Sequence, residues 1–340
     1  MFSRDTLRLN AEAEVARITS WLRETLGQLH RRGFVVGLSG GIDSSVSCAL
    51  AVRAVGKERV FGIFMPEKDT SDDALVLGTK LAATFGVETT IENIGPALTT
   101  IGCYERQIQA IRTVEPAFGA GWKFKLILPS ILKADRLNVT RLVVESPAGA
   151  TTSHRLTAGA YSQLVAATNY KQRLRKVTEY YHADRLGFAV VGTPNRLEYD
   201  QGFFVKLGDG AADVKPIAHL YKSQVFQLAE YLGVPAEIRA RMPTTDTFSL
   251  AQSQEEFYFS LPYDKMDLCL YALDNSVPIQ EVARATDLPE ETIRRVYQDI
   301  EGKRRTTAYL HRAPVLLEKV LAEKPPVRKA PVASVQMVEG

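Results

Sequence analysis

The residues with the clearest chemical potential form one short run, S-G-G-I-D-S-S at positions 39–45. Its two glycines allow a phosphate to approach the backbone closely, and its three serine hydroxyls are hydrogen-bond donors. Asp43 alone would repel a phosphate, so its presence indicates Mg²⁺ between the carboxylate and the phosphate. The run therefore predicts a loop that binds a phosphate together with a metal ion.

The elements on either side of the run support this interpretation. Residues 34–38 are a short apolar stretch typical of a buried parallel strand, and residues 46–55 are rich in alanine and leucine, as in a helix. A strand–turn–helix unit brings free backbone N–H groups and the positive end of a helix to one point, which favours an anion. A plain Gly/Ser turn without a ligand is the alternative, and the full seven-residue run in this context disfavours it.

Similar strands and helices alternate through much of the chain. Helical spacing predicts helices at residues 11–32, 72–85, 161–183 and 222–232, and apolar runs predict strands at 60–65, 88–94 and 189–192. This alternation is typical of an α/β domain with a parallel sheet. Residues 264–305 are predicted to be helical.

Two regions depart from that alternation. Residues 102–160 lack it, and short strands at 123–128 and 141–145 with a turn at 147–149 suggest a β-rich insertion. The tail from about residue 324 contains three prolines without an apolar period, so we predict that it is disordered.

Composition excludes several classes of protein. The chain has 42 Lys+Arg against 39 Asp+Glu, a balance that argues against a dedicated nucleic-acid binder. Its three cysteines show no paired spacing, which argues against a zinc site or disulfides and fits a reducing cytoplasm. The sequence contains no run of 18 uncharged apolar residues, so it predicts no membrane span. The charged N-terminus does not resemble a signal peptide.

The glycine-rich run also carries a family resemblance. It lacks the lysine of a Walker A loop, and S-G-G-x-D-S resembles the signature of the N-type ATP pyrophosphatases. Four further segments resemble motifs of NAD synthetases in the same order, namely N-Y-K-Q-R-L-R at 169–175, G-T-P-N-R-L-E with G-F-F-V-K-L-G-D-G-A-A-D at 192–213, P-I-A-H-L-Y-K-S-Q-V at 216–225, and P-T-T-D at 243–246. The chain is therefore identified as similar to ammonia-dependent NAD synthetases.

The resemblance implies a Rossmann-like α/β fold of the adenine-nucleotide α-hydrolase type, with a helical C-terminal part. It implies one domain at 1–305, interrupted at 102–160 and followed by an extension at 306–340. It also implies a homodimer.

The resemblance further implies roles for individual residues. The residues expected to contact ATP are Gly37, Leu38, Ser39, Gly40, Gly41, Asp43, Ser44, Ser45, Thr193, Lys222 and Thr244. Asp43, Ser44 and Lys222 are expected to be catalytic, and Asp43 and Glu198 to share Mg²⁺. Those expected to hold deamido-NAD are Arg173, Lys206, Asp213 and Lys303.

Each of these residues has a plainer alternative. Glu198 and Asp213 taken alone are equally compatible with exposed loop carboxylates, and most Lys and Arg side chains are simply solvated. Lys171 and Arg175 are weaker candidates, because residues two positions from Arg173 face elsewhere on a helix.

The reaction implied has two steps, in which a carboxylate is adenylated by ATP and ammonia then displaces AMP. Only about 35 residues precede the loop, too few for a glutaminase domain. Free ammonia, or ammonia from a separate glutaminase subunit, is therefore expected as the donor.

Two features leave alternatives open. NAD synthetases usually carry a His-Lys pair near the C-terminus, whereas this chain has Gly302 before Lys303. That departure and the insertion favour, as an alternative, a related ligase that amidates a different carboxylate. Residues 277–305 resemble a helix-turn-helix, but a helical packing unit is the preferred interpretation. A regulatory protein that binds nucleotide without catalysis is a third hypothesis, which the intact Asp43 and Glu198 disfavour.

Overall fold

A computed structural model describes residues 2–128, 140–244 and 247–318 of the chain. Its central sheet has four parallel strands in the order β3–β2–β1–β7. Numbered along the chain, these strands are β1 (Phe34–Gly37), β2 (Val60–Phe64), β3 (Glu88–Ile91) and β7 (Ala189–Val191). The parallel α/β fold predicted from the alternation is confirmed.

Helices cover both faces of this sheet. The helices of the first face are α1 (Ala11–Gln28), α2 (Ile42–Val55), α3 (Asp72–Phe85) and α8 (Lys222–Tyr231), and they share one apolar core with Phe34 and Val36. The other face packs against α6 (Ala158–Leu186), where Val35 and Val190 meet Ala183. Alternate residues of β1 thus enter opposite cores, which explains why the strand is apolar throughout.

The region predicted as a β-rich insertion contains helices as well as strands. After α4 (Gly95–Thr100) comes α5 (Cys103–Arg112), and then an antiparallel sheet of β4 (Lys123–Ile127), β5 (Arg141–Glu145) and β6 (Thr151–Arg155). The predictions of β4 and β5 are confirmed. We did not predict α5, whose inner face includes the buried polar Gln107, or β6, whose residues are mostly exposed and polar.

Helices make up most of the C-terminal part of the described chain, as predicted. They are α7 (Arg196–Gln201), α9 (Ala236–Ala240), α10 (Tyr263–Asp274), α11 (Ile279–Thr286) and α12 (Glu290–Thr307). Val282, Ile293 and Val296 of the helix-turn-helix-like segment are buried in a core shared with α10. Its helices therefore serve as a packing unit, and Arg304 of its basic run pairs with Asp200 and Asp274.

Several predicted boundaries were wrong. Helix α1 ends at Gln28 rather than at residue 32. Helix α2 starts at Ile42 rather than at residue 46, so Asp43 and its serine neighbours belong to a helical turn. Helix α6 spans Ala158–Leu186 rather than residues 161–183, so it extends three residues further at each end.

Two other predictions concern the ends and the surface of the chain. The predicted disorder from about residue 324 lies outside the described residues. Within the described ranges, none of the helices has the length and apolar character needed to cross a membrane.

Candidate active site

The glycine-rich run forms the turn between β1 and α2. The N-terminus of α2 follows Gly41, and no side chain among the described residues caps its first N–H groups. Ser44 and Ser45 instead donate their hydroxyl hydrogens to the Gly41 carbonyl, at 3.0 and 2.8 Å. The turn is thus shaped by its own serines, and the positive end of α2 is left for an anion.

Gly40 is required by the backbone of this turn. Its φ of +71° is left-handed, and an added Cβ would lie 2.5 Å from the Ala74 carbonyl oxygen of α3. Only glycine satisfies both constraints. The loop is therefore locked against α3 by a contact that admits no side chain.

Gly40→Ala is expected to lower the free energy of unfolding by about 1–3 kcal/mol, because the backbone must leave its strained region or push α3 away. It should also weaken ATP binding by displacing the loop. The matched control is Gly27→Ala in α1, where nothing lies within 4 Å of the added methyl group. Urea denaturation should show an unchanged or slightly higher stability for the control, and equal losses in both variants would contradict the account.

Asn195 forms hydrogen bonds with both Asp43 and Glu198. The Asn195 side-chain amide donates to Asp43 Oδ1 at 3.0 Å, and the Asn195 backbone N–H donates to Glu198 Oε2 at 3.0 Å. Asn195 is also the N-cap of α7, which begins the turn carrying Glu198. The two carboxylates predicted to share a metal are thus brought together from α2 and α7.

The electrostatics of this pair favour a cation. Burial, and then the negative charge of Asp43, raise the pKa of Glu198 to about 8, while Lys222 opposes the rise. Two carboxylates supply the hard oxygen ligands that Mg²⁺ prefers, and Mg²⁺ commonly uses one or two of them together with phosphates and waters. Among the described residues, no larger cluster of His, Cys, Asp or Glu could hold a metal. The donor set therefore fits Mg²⁺ bound jointly with a nucleotide.

Lys222 forms an ion pair with Asp43 from the first turn of α8. Its side chain is fully buried and donates to Asp43 Oδ2. Lys222 does not itself line the cavity, and its predicted contact with ATP stays a prediction. The lysine thus orients one of the two candidate metal ligands.

Asp267 of α10 holds the start of α8. Its carboxylate accepts the backbone N–H groups of Lys222 at 3.2 Å and of Ser223 at 2.7 Å. Burial raises the pKa of Asp267 to about 6, against the hydrogen bonds from Ser223 and Lys222 that lower it. A buried carboxylate therefore fixes the helix turn that carries Lys222.

Asp267→Asn is expected to remove one component of the pH dependence of stability. The pKa of about 6 in the folded chain lies above the ordinary 3.8, so folding favours the protonated carboxyl. Its stabilising contribution is full below about pH 4 and is lost as the pH rises through about 6, an effect of about 3 kcal/mol. Urea unfolding of both proteins across this window should show a steeper decline in the wild type than in the variant; parallel curves would contradict the prediction.

A cavity of about 710 Å³ extends from the glycine-rich turn. The predicted site residues that line it are Gly37, Leu38, Ser39, Gly41, Asp43, Ser44, Arg173, Thr193, Glu198, Lys206, Thr244 and Lys303. Gly40, Ser45, Asp213 and Lys222 do not line it. The structure thus brings residues of five distant sequence segments to one place.

The predicted dinucleotide-binding residues are not equivalent. Lys206 donates to the carbonyls of Tyr309 and Arg312 at 2.9 and 3.1 Å, and Arg173 donates to the Lys206 carbonyl at 3.3 Å. Lys303 pairs with Asp299 at 2.6 Å, and burial lowers its pKa. All three cations therefore line the cavity while also bonding to a protein carbonyl or carboxylate.

Asp213 has a different setting. One oxygen accepts the Val190 backbone N–H at 2.7 Å and the other accepts the Tyr180 hydroxyl at 3.3 Å. It joins the end of the central sheet to α6 and does not line the cavity. Its predicted contact with substrate therefore stays a prediction.

Sequence reasoning missed three polar residues beside the cavity. Asn195 belongs to the motif at 192–213 but has no predicted role there, although an N-cap residue three positions before a glutamate is a recognisable capping signal. Lys176 and Glu179 of α6 form a buried pair at 2.6 Å, and both line the cavity. Their spacing marks a helix pair but does not indicate burial.

Comparison with known proteins gives a consistent picture. The family model described as NAD synthase matches residues 14–115 and 132–307, so residues 116–131 of the predicted insertion lie outside the match. The chain is 61% identical to the NH3-dependent NAD(+) synthetase of Mesorhizobium japonicum, over 91% of this chain and 98% of that protein. It is 36% identical to the enzyme of the same name from Thermotoga neapolitana, over 78% and 85%.

Solved structures share the fold. The NMN synthetase of Francisella tularensis superimposes with a TM-score of 0.64 at 21% identity, over 91% of this chain and 99% of that one. An NH3-dependent NAD synthetase from Campylobacter jejuni, in complex with the nitrate ion, gives a TM-score of 0.60 at 22% identity, over 91% and 100%. The family model matches most of the sequence, and the cavity is lined by residues of the segments that resemble that family's motifs. The chain therefore belongs to the NAD synthase family.

Proposed function

We propose that the chain amidates deamido-NAD with ammonia, at the expense of ATP, to form NAD, AMP and pyrophosphate. The observation that carries the proposal is the geometry at Asp43, where an uncapped helix N-terminus and a second carboxylate meet in one cavity. The names of relatives up to 61% identical support the choice of substrate. The chain is accordingly a ligase that forms a carbon–nitrogen bond.

In the first step, a carboxylate oxygen of the substrate attacks the α-phosphorus of ATP. A P–O bond forms to give the acyl-adenylate, and the bond to the β-phosphate bridging oxygen breaks to release pyrophosphate. The N–H groups at the start of α2 can hold the departing pyrophosphate. Positioning and charge stabilisation suffice, so no nucleophilic side chain is needed.

Asp43 and Glu198 are the residues that would hold Mg²⁺. Bound there, the ion would neutralise charge that develops on the phosphates. The ion pair with Lys222 keeps Asp43 in place and puts a positive charge next to its carboxylate. Asn195 fixes the spacing between the two carboxylates.

In the second step, ammonia attacks the acyl carbon, the C–O bond to AMP breaks, and the nitrogen loses a proton. Arg173, Lys206 and Lys303 are the cations we assign to the substrate, because all three line the cavity. Gly302 leaves open space, since nothing lies within 4 Å of an added Cβ. Lys303 lines the cavity and would contact the substrate without a neighbouring histidine.

We further propose that the enzyme acts as a cytoplasmic homodimer and takes free ammonia. The three cysteines are all buried and unpaired, which supports a reducing compartment. The exposed Val177 and Tyr181 on α6 support an interface on that helix.

The product assay uses purified chain with ATP, Mg²⁺, ammonium and deamido-NAD, and nicotinate mononucleotide in a parallel reaction. AMP and NAD in equal amounts are expected with deamido-NAD, with a far lower kcat/KM for the mononucleotide. Turnover confined to the mononucleotide or to another acid would replace the proposed substrate. ATP binding without turnover of any carboxylate would contradict the enzymatic function itself.

A further inference from the structure

Lys171 is a fully buried lysine on α6 beside the cavity. Its Nζ donates to Glu67 Oε1 at 3.0 Å, to Asp69 Oδ2 at 2.5 Å and to the Thr247 carbonyl at 2.8 Å. An ammonium group has three N–H donors, so these acceptors use all of them. A charge withdrawn from water is tolerated only when it is paired in this way.

The three acceptors belong to two segments that are distant in sequence. Glu67 and Asp69 follow β2, in residues 66–71, whereas Thr247 belongs to a later segment, of which residues 243–244 and 247–248 are described. Both segments line the cavity, the first through Thr70 and the second through Thr244. A single amine therefore joins two walls of the same cavity to the helix that also carries Arg173.

The contacts around Glu67 make the first wall rigid. The second carboxylate oxygen accepts the Tyr104 hydroxyl at 2.8 Å, and the Glu67 backbone N–H donates to Thr70 Oγ1 at 3.0 Å. Lys68 lies 3.8 Å from the centre of the Tyr104 ring and supplies a second positive charge. Two lysines thus balance two carboxylates, and the shape of this segment depends on its link to Lys171.

The first wall is also adjacent to the phosphate-binding turn. Ala74 follows this segment and abuts Gly40, as shown by the clash that a Cβ on Gly40 would cause. A shift of residues 66–71 would therefore reach the turn that holds the nucleotide. The second wall carries Thr244, for which the family resemblance implies a contact with ATP.

We propose that Lys171 is a positioning residue that fixes residues 66–71 relative to the described residues 243–244 and 247–248, and so holds the ATP-binding end of the cavity in its binding shape. The inference rests on the proposed function for the identity of the nucleotide. Lys171 touches no reacting atom, so its contribution is to ATP affinity. Without Lys171, the two segments would become ordered only when ATP binds, and the free energy that this ordering costs would weaken the binding of ATP.

The test separates this role from simple charge balance. Lys171→Met alone leaves two buried carboxylates unpaired, so it reports on folding as well as on positioning. In the triple variant Lys171→Met/Glu67→Gln/Asp69→Asn the charges are removed together. The matched control is Lys68→Met, which removes an equal charge from the same segment without touching the second wall.

In the triple variant, the KM for ATP is expected to rise about 10- to 100-fold while kcat changes by no more than a few-fold. Lys68→Met is expected to keep the wild-type KM. A wild-type KM for ATP in the triple variant would overturn the proposal, and so would an equal change in the control.

A second measurement does not depend on catalysis. Asp69→Asn alters only the first wall, so faster amide hydrogen exchange in residues 247–256 would show coupling between the walls without any substrate. Unchanged exchange in residues 247–256 would overturn the proposal even in an active enzyme. If the wild type does not turn over deamido-NAD, this exchange result still stands or fails independently of the proposed function.

Discussion

Asp43→Asn is expected to lower the rate of AMP formation about 1,000-fold, because the charge that binds the metal and the phosphates is removed from the centre of the site. The amide is nearly isosteric, so the contact with Asn195 has room to persist and the fold should remain intact. The measurement is AMP release under saturating substrates, together with the thermal unfolding midpoint.

The matched control for this variant is Asp184→Asn, an exposed aspartate on α6. It should keep the wild-type rate. A near-wild-type rate in Asp43→Asn at low Mg²⁺ concentration would contradict the assignment of Asp43 as a metal ligand.

Lys222→Met is expected to lower the rate of AMP formation about 100-fold or more, and to destabilise the fold as well. The lysine is fully buried, and its loss leaves Asp43 without its cation. Removing one partner of a buried ion pair costs about 3–5 kcal/mol in the free energy of unfolding. Arginine should not restore activity, because its larger planar group cannot replace a compact buried ammonium.

The double variant Lys222→Met/Asp43→Asn separates stability from activity. Removing both charges should restore much of the lost stability, while the enzyme stays inactive because the metal ligand is absent. A coupling energy near zero in the double-mutant cycle would show that the ion pair does not hold Asp43 in place.

The main parts of the fold were predictable because their patterns are local. The strand at β1 is apolar throughout, since the two cores on either side of the sheet both need its side chains. The start of α2 was misplaced by four residues, because S-G-G-I-D-S-S contains residues typical of turns although Ile42 is already helical. Helix α5 was missed because Gln107 occupies a buried position, where its amide bonds to Thr168 of α6.

The site itself was only partly predictable. Asp43, Glu198 and Thr193 could be selected by motif, and the structure places them around one cavity. The pairing of Lys222 with Asp43 and the burial of Lys171 depend on contacts between residues more than 100 positions apart. No local pattern encodes such contacts. The burial of Lys171 could not be predicted, because helical spacing gives the direction in which a side chain points but not how deeply it is buried.

The most direct test of the central claim follows oxygen from the substrate carboxylate. Deamido-NAD labelled with ¹⁸O in its nicotinate carboxyl group is incubated with ATP, Mg²⁺ and ammonium, and the products are analysed by mass spectrometry. If the carboxylate attacks the α-phosphorus, one ¹⁸O atom appears in AMP and none in pyrophosphate. Label in inorganic phosphate with formation of ADP, or AMP without label, would contradict the acyl-adenylate.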